Sequence, residues 1–502
     1  MQKIHSLYAK NLGDECVLTK TARLGILSHY SNIPQGIRSS VEYAMKTAKA
    51  KFIICTSTLA QGVNLPLRYL IVSSTQQGVD RISTRDFQNL IGRAGRAGMY
   101  TEGSIIFANN SLFDKRMHSK GRYKWNNVKE LLEFNNTEQC NSILFKIFEP
   151  IHNNHQWDKY RYIIKMDALK FAIHYVNDTI NEFITEIMEH ETKIVDGQDI
   201  GFKIDSVKKQ CEEKINIIKS IEGFILSHID LNDFSEENLV ALVQSTLAYH
   251  LGNKEQKTQF IELFNLIAQN IKNKVPEAKR RIYFSKTLYG VNATIELEKW
   301  IKDNVEQLIL ATEIRSFVNL IMPIFSKIVQ SKYFDRCSSK DYLEKIMVDW
   351  INGKAYYELL DNLNNNKICL KTTKQTHNFT IDDVINFCEN TLAFDGSLFV
   401  GTLIEIIQGI YGDDISSEVM EDLKLKQKMI KYGLNNAISI NIYELGFVDR
   451  IIAQDLTTIM NKVSLKYGNK KELRAMFKHN KTSTQEYLSK YPSYFVEKLD
   501  FL

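Results

Sequence analysis

The residues of this 502-residue chain best suited to chemistry lie at 88–98, QNLIGRAGRAG. Arg93 and Arg96 stand three apart, each directly after a glycine, Gly92 and Gly95, and Gly98 comes next. A guanidinium is a rigid fork of donors that never loses its charge, so an arginine held in a fixed place is poised for a phosphate. The glycines let the backbone leave a helix and come close to something else. A second set lies upstream. STLAQGVNLP at 57–66 places hydroxyls, a glycine, an asparagine and a proline after the apolar run FIICT at 52–56. In α/β sheets, ligands sit at the carboxyl ends of strands, where such loops begin. Each stretch also has a plain reading: a solvated basic helix end for the first, an ordinary strand-to-loop connection for the second. Their occurrence together favours a site that handles phosphates.

The elements that must position these residues follow from periodicity. Residues 84–91 read as a helix capped by Ser83 or Thr84, with Phe87, Leu90 and Ile91 on its inner face. Residues 35–48 read as another, with Ile37, Val41, Ala44 and Met45 at helical spacing. Strands are expected at 52–56, 69–74 and 103–108, and residues 1–26 as a helix and a loop. Strands alternating with helices at this pace predict βαβ units and a parallel sheet.

Taken together, these residues resemble the second RecA-like domain of superfamily-two helicases, in the Ski-type DExH branch. TSTLAQGVNLP at 56–66 looks like motif V of that family and QNLIGRAGRAG like motif VI. LSHYSNIPQGIRSSVE at 27–42 looks like the segment before motif V, with His29, Pro34, Arg38 and Glu42 in matching places. The match covers roughly the first 110 residues. The resemblance implies that ATP sits between two RecA-like domains, with Arg93 and Arg96 neutralising charge that develops on its γ-phosphate. It implies Gln88, Gly62 and Asn64 at the nucleotide cleft, and Thr56 and Thr58 donating to the phosphates of a single strand of DNA or RNA. Asn89 departs from the arginine common in related DEAD-box motifs.

The cofactors implied are ATP and Mg²⁺, whose phosphate and metal ligands come from a first RecA-like domain. No Walker A pattern occurs in the sequence, and Asp14-Glu15 is followed by Cys16-Val17, not by the remainder of a DExH motif. The strand with which such a domain begins is also missing. The expectation is the C-terminal portion of an ATP-dependent helicase, inactive alone, partnered by a chain that carries the Walker A and DExH motifs. A fragment, a split gene product and a misplaced gene start all satisfy it. The alternative is a non-catalytic adaptor, derived from a helicase, that binds nucleic acid or protein; the intactness of both motifs argues against it. Bacterial phage-defence helicases with long helical C-termini offer one context.

Composition bounds the rest. Hydrophobic residues at 44% and charged residues at 25% are globular values. Six prolines and 23 glycines are few for this length and favour helices over an all-β architecture. Seven cysteines, odd in number and without a Cys-x-x-Cys pair, read as reduced thiols of a cytoplasmic protein. No apolar stretch reads as long enough to span a bilayer, so no membrane is expected. Residues 1–120 hold 16 Lys and Arg against 7 Asp and Glu, whereas the whole chain is only +5. The helicase-like part is therefore the basic part, which suits a phosphate backbone.

The fold class expected is α/β RecA-like, with a parallel sheet incomplete at its N-terminus, followed by a large, mostly α-helical region. Four segments are expected: the second RecA-like domain at 1–118, a helical domain at 119–364, a helical, winged-helix-like domain at 365–461, and a basic tail at 462–502. Residues 462–481 carry seven Lys and Arg, one Glu, and interleaved Tyr467 and Phe477. That pattern can track a single strand, though a solvated helix face has the same composition.

Overall fold

The computed structural model describes residues 2–502 apart from 57–66, 78–79, 96–101, 137–139, 154–162, 190–193, 196–197, 200, 229–234, 373–374 and 461–466. Helix α1 (Gln2–Leu12) buries Ile4, Leu7, Tyr8 and Leu12, the one-face spacing of an amphipathic helix. Helix α2 (Val17–Arg23) leads through Gly25, at φ +86°, into strand β1 (Ile26–His29). Helix α3 (Gln35–Lys46) buries Ile37, Val41, Ala44 and Met45, the face read from the sequence. Strand β2 (Phe52–Cys55) then runs parallel to β1, with Ile26 opposite Phe52 and His29 opposite Cys55. Strand β1 was not among the expected strands: Ile26 closes the helix and loop read at 1–26, and residues 27–29 were given no element. ILSH is four residues with only two aliphatic ones, too short and mixed to stand out as an apolar run.

Strand β3 (Tyr69–Val72) is followed by the antiparallel pair β4 (Gln76–Gln77) and β5 (Asp80–Arg81). Helix α4 (Thr84–Ile91) and strand β6 (Ser104–Phe107) follow, and β6 lies parallel to β3. Helices α5 (Ser111–Asp114) and α6 (Ser119–Leu132) complete this part. Leu70, Val72, Ile82, Phe87 and Leu131 form its core. Both strand pairs are parallel, as the βαβ pattern requires, but among the described residues no hydrogen bond joins β1–β2 to β3–β6. Phe52 and Ile54 on β2 and Tyr69 and Ile71 on β3 are each more than half exposed. The one continuous sheet of the sequence reading is thus seen as two separate pairs.

The chain divides into two compact units that do not follow the linear segments. One comprises Met1–Gln139, Ala311–Ser397 and Glu421–Leu502; the other comprises Cys140–Leu310 and Leu398–Met420. The expected domain at 119–364 is shared between them. In the second unit, long helices at Ile204–His228, Lys254–Lys274 and Val291–Leu310 carry the core, including Phe260, Leu263, Phe264 and Ile267. In the first unit, an antiparallel hairpin pairs Cys369–Lys371 with Thr376–Asn378 after the helices Lys340–Ile351 and Tyr356–Asn365.

The basic tail is not a free arm. Helices Lys470–His479, Lys481–Leu488 and Ser493–Asp500 bury Leu473, Phe477, Leu488, Phe495 and Leu499, and Phe477 stacks on Phe447 at 5.2 Å. The sequence reading of membrane spans needs one correction as well. The helical stretch Ile381–Asp414, with mean hydropathy 1.3 in its most apolar window, is long and apolar enough to cross a membrane. Half of that window is buried inside the protein. All seven cysteines are free.

Candidate functional site

The candidate site is built around α4. Ser83 caps it: its side chain accepts from Asp86 N, and the Asp86 carboxylate in the first turn complements the helix dipole. Phe87 anchors the helix, fully buried and stacked on Phe107 of β6 at 6.2 Å. Past Ile91 the backbone tightens. Gly92 N donates to Gln88 O at 2.9 Å, Arg93 N to Leu90 O at 3.2 Å, and Ala94 N to Ile91 O at 3.0 Å.

The chain then attaches itself to the residue that follows the 57–66 loop. Leu67 N donates to Arg93 O at 3.2 Å and Leu67 O accepts from Gly95 N at 2.8 Å, forming a parallel bridge between Leu67 and Ala94. Arg93 is therefore bracketed by backbone bonds to the downstream end of motif V. Its side chain is half-buried, with Nε and Nη1 shielded from solvent.

Gly95 has φ +74°, and a Cβ added there would stand 2.5 Å from Gly103 N. A Cβ on Gly103 would stand 2.2 Å from Gly95 N. These two glycines exist so that two backbones can touch, which fixes the exit of the arginine loop against the start of β6. The close approach inferred from the sequence is real here, but its partner is the protein's own main chain. Leu67 and Gly103 are positioning residues that the sequence reading missed. Neither has a pattern of its own: one is a leucine after a proline, the other a glycine ahead of an apolar run.

Gln88, expected at the nucleotide, faces α6. Its Nε2 donates to Leu131 O at 2.6 Å, while its Oε1 is buried and has no hydrogen-bond partner among the described residues. In this arrangement Gln88 ties α4 to α6 and has only an acceptor left to offer. Thr56 is exposed one residue past β2, at the carboxyl end of that strand. Thr58, Gly62, Asn64 and Arg96 lie outside the described residues. In the segment before motif V, His29 is buried at the end of β1, with Nε2 3.0 Å from Glu42 Oε1, and Arg38 Nε donates to Gln35 Oε1 at 3.1 Å. These contacts join β1 to α3 and brace the α3 surface.

Residues 4–98 match the helicase conserved C-terminal domain. The Hachiman protein HamB of Bacillus cereus is 22% identical over 451 residues, which is 89% of this chain and 36% of that protein. The human helicase POLQ-like is 38% identical over 100 residues, 19% of this chain and 9% of that protein. The ATP-dependent DNA helicase Hel308 of Thermoplasma volcanium is 38% identical over 89 residues, 17% of this chain and 13% of that protein. The chain thus spans about a third of HamB and a much smaller share of the other two.

Proposed function

We propose that this chain, whose residues 4–98 match the helicase conserved C-terminal domain, supplies the second half of an ATP-driven motor acting on DNA or RNA in the cytoplasm. In this reading β1–β2 and β3–β6 are two segments of one RecA-like parallel sheet. A first RecA-like domain, on a partner chain with the Walker A and DExH motifs, provides the phosphate loop and the Mg²⁺ ligands. ATP then lies between the two domains. Mg²⁺ supplies charge neutralisation on the phosphates. From this side Arg93 and Arg96 meet the charge that develops on the γ-phosphate, while Gln88, its Oε1 buried, holds α4 against α6. The residues present fit that task in part: a buried-edge guanidinium on a fixed backbone suits a phosphate, whereas the Gln88 amide donor is already committed to Leu131 O.

The observation that carries this reading is the bridge from Leu67 to Arg93 and Gly95. The bridge ties the residue that follows 57–66, the segment this reading assigns to strand contact, to the backbone of Arg93, the arginine it assigns to the γ-phosphate. A motor needs such a connection, because a change at the nucleotide must move the loop that grips the strand. The test is reconstitution. The purified chain should show no ATP hydrolysis, with or without single strands. Mixed with the chain that carries the phosphate loop, it should show hydrolysis stimulated by nucleic acid. Hydrolysis by the chain alone would overturn the division of labour, and absence of hydrolysis in the mixture would favour a helicase-derived adaptor.

A further inference from the structure

The segment after β6 belongs to none of the helicase motifs, yet it combines charge and rings in an unusual way. Residues 111–129 carry six Lys and Arg against one acid, Asp114, with Phe113, Tyr123 and Trp125 interleaved. Helix α6 turns Val128 and Leu131 into the core. Tyr123 and Lys124 instead line a polar cavity of about 130 Å³, together with Ser73, Ser74 and Thr75 after β3 and Asn109 after β6. The cavity therefore stands at the carboxyl ends of two parallel strands, the place where α/β sheets take ligands. A single water needs only about 10–15 Å³ by this measure, so the space suits a phosphate group. By contrast, the cavity beside Asp449 and Arg450 offers about 20 Å³, room for one water.

The donors around the larger cavity are arranged for an anion. Ser74 Oγ accepts from Gln76 N at 3.0 Å, and its proton has no acceptor among the described residues. The nearby Glu130 carboxylate is already held by Arg81, at 2.5 Å. The rings add a second kind of contact. Tyr123 is 53% exposed, and Phe113 lies edge-on to Trp125 with the Arg116 guanidinium 3.5 Å from its centroid. Hydroxyls and an ammonium round a cavity, flanked by an exposed ring, match the demands of single strands: a basic groove for the backbone and an aromatic face for each base.

We propose that this cavity is a contact for single-stranded nucleic acid, seating one backbone phosphate between Ser74 and Lys124 and stacking the adjoining base on Tyr123. The site rests on the helicase reading above and places a strand contact outside motifs V and VI. It is tested by fluorescence anisotropy on the full chain, with labelled DNA and RNA single strands and an abasic strand, each at several salt concentrations. Lys124→Ala should weaken binding to every strand and lower the slope of log affinity against log salt by about 0.7. Tyr123→Ala should weaken binding to base-bearing strands by about 5- to 100-fold and leave the abasic strand unchanged, while Tyr123→Phe keeps wild-type affinity. The abasic strand doubles as the control for folding. If the wild-type chain binds and both alanine variants match it, the cavity is not a strand site, although the motor reading stands. If the wild-type chain binds no strand at low salt, the proposal also falls. Binding that follows this pattern in a chain that never supports ATP hydrolysis would keep the site and remove the motor.

Discussion

In the proposed motor an arginine serves a transition state best when its backbone is held as charge builds up, and the bonds to Leu67 hold the backbone at Arg93. In the reconstituted enzyme, Arg93→Ala and Arg96→Ala should each lower kcat by about 10³-fold or more, with nucleotide affinity changed little, because the guanidinium acts on charge absent from the ground state. Single-turnover hydrolysis beside nucleotide-binding titrations checks this, and near-normal turnover would remove the arginines from the mechanism. Gly95→Ala makes a different prediction. A positive φ and a 2.5 Å approach to Gly103 N leave no room for a methyl group. The variant should lose about 2–4 kcal/mol from the region holding β3, α4 and β6, read as faster hydrogen exchange there. The chemical type and order of the arginines were legible in the sequence. The meeting of Gly95 with Gly103 was not, because contact between two main chains leaves no mark in side-chain patterning. The hold of Leu131 on Gln88 was hidden for a similar reason, since any residue can supply a carbonyl.

At the scale of elements, the long periodic helices were the easiest to read. Apolar residues recur at helical spacing over 207–229; residues 207–228 lie within the helix Ile204–His228, and residue 229 lies outside the described residues. Residues 160–190 likewise carry apolar residues at three- and four-residue spacings, yet among its described residues this stretch holds the strand Ile163–Ile164 and two helices, Ala168–Val176 and Ile180–Glu189. Asp167 accounts for the start, accepting from Leu169 N and Lys170 N, and Asp178 at φ +58° breaks the run in two. Both are short polar residues whose cap and turn roles periodicity does not register. Within the same unit, Glu222 of Ile204–His228 receives the N–H of Val291, at 2.9 Å, and the Tyr175 hydroxyl, at 3.3 Å. Burial pushes its carboxyl up to about 6, and these hydrogen bonds offset only part of that rise. The folded state then holds the proton more tightly than the unfolded chain. Stability should fall as pH rises from about 4.5 to about 6, by roughly 2 kcal/mol, and stay at the lower level above that window. Glu222→Gln keeps an acceptor for Val291 N and should flatten this dependence and raise the melting temperature at pH 7. Thermal melts across the pH range decide it; an unchanged slope would mean that Glu222 does not titrate there.

At the scale of the molecule, the family match ends at residue 98 but the packing does not. Asn11 of α1 donates to Asp449 Oδ2 at 2.9 Å, while Asp449 also caps the helix Arg450–Ile459 through Ile451 N and Ile452 N. A Cβ on Gly36 of α3 would come within 2.4 Å of Asp449. Tyr43 of α3 meets the ring of Tyr494 at 6.2 Å and hydrogen-bonds to Glu497. Asp449→Ala should cost about 2 kcal/mol or more, by removing a helix cap and leaving the buried Asn11 amide only Leu7 O as acceptor. The loss should appear in α1 as well as in 450–459, measured by hydrogen exchange; protection lost only at 450–459 would mean that α1 stands independently. Deleting 462–502 should likewise loosen α3, an outcome that composition did not foretell, since the segment read as a solvated basic tail. The link between Asn11 and Asp449 also sets a timetable. The two residues are 438 positions apart, and ribosomes add about 5–20 residues per second, so α1 waits roughly 20–90 s after its synthesis before its buried partner emerges. During that interval α1 can pack on α2 and α3 but lacks the buried partner of Asn11, so the segment that matches the helicase domain completes its packing only after translation has passed far beyond it.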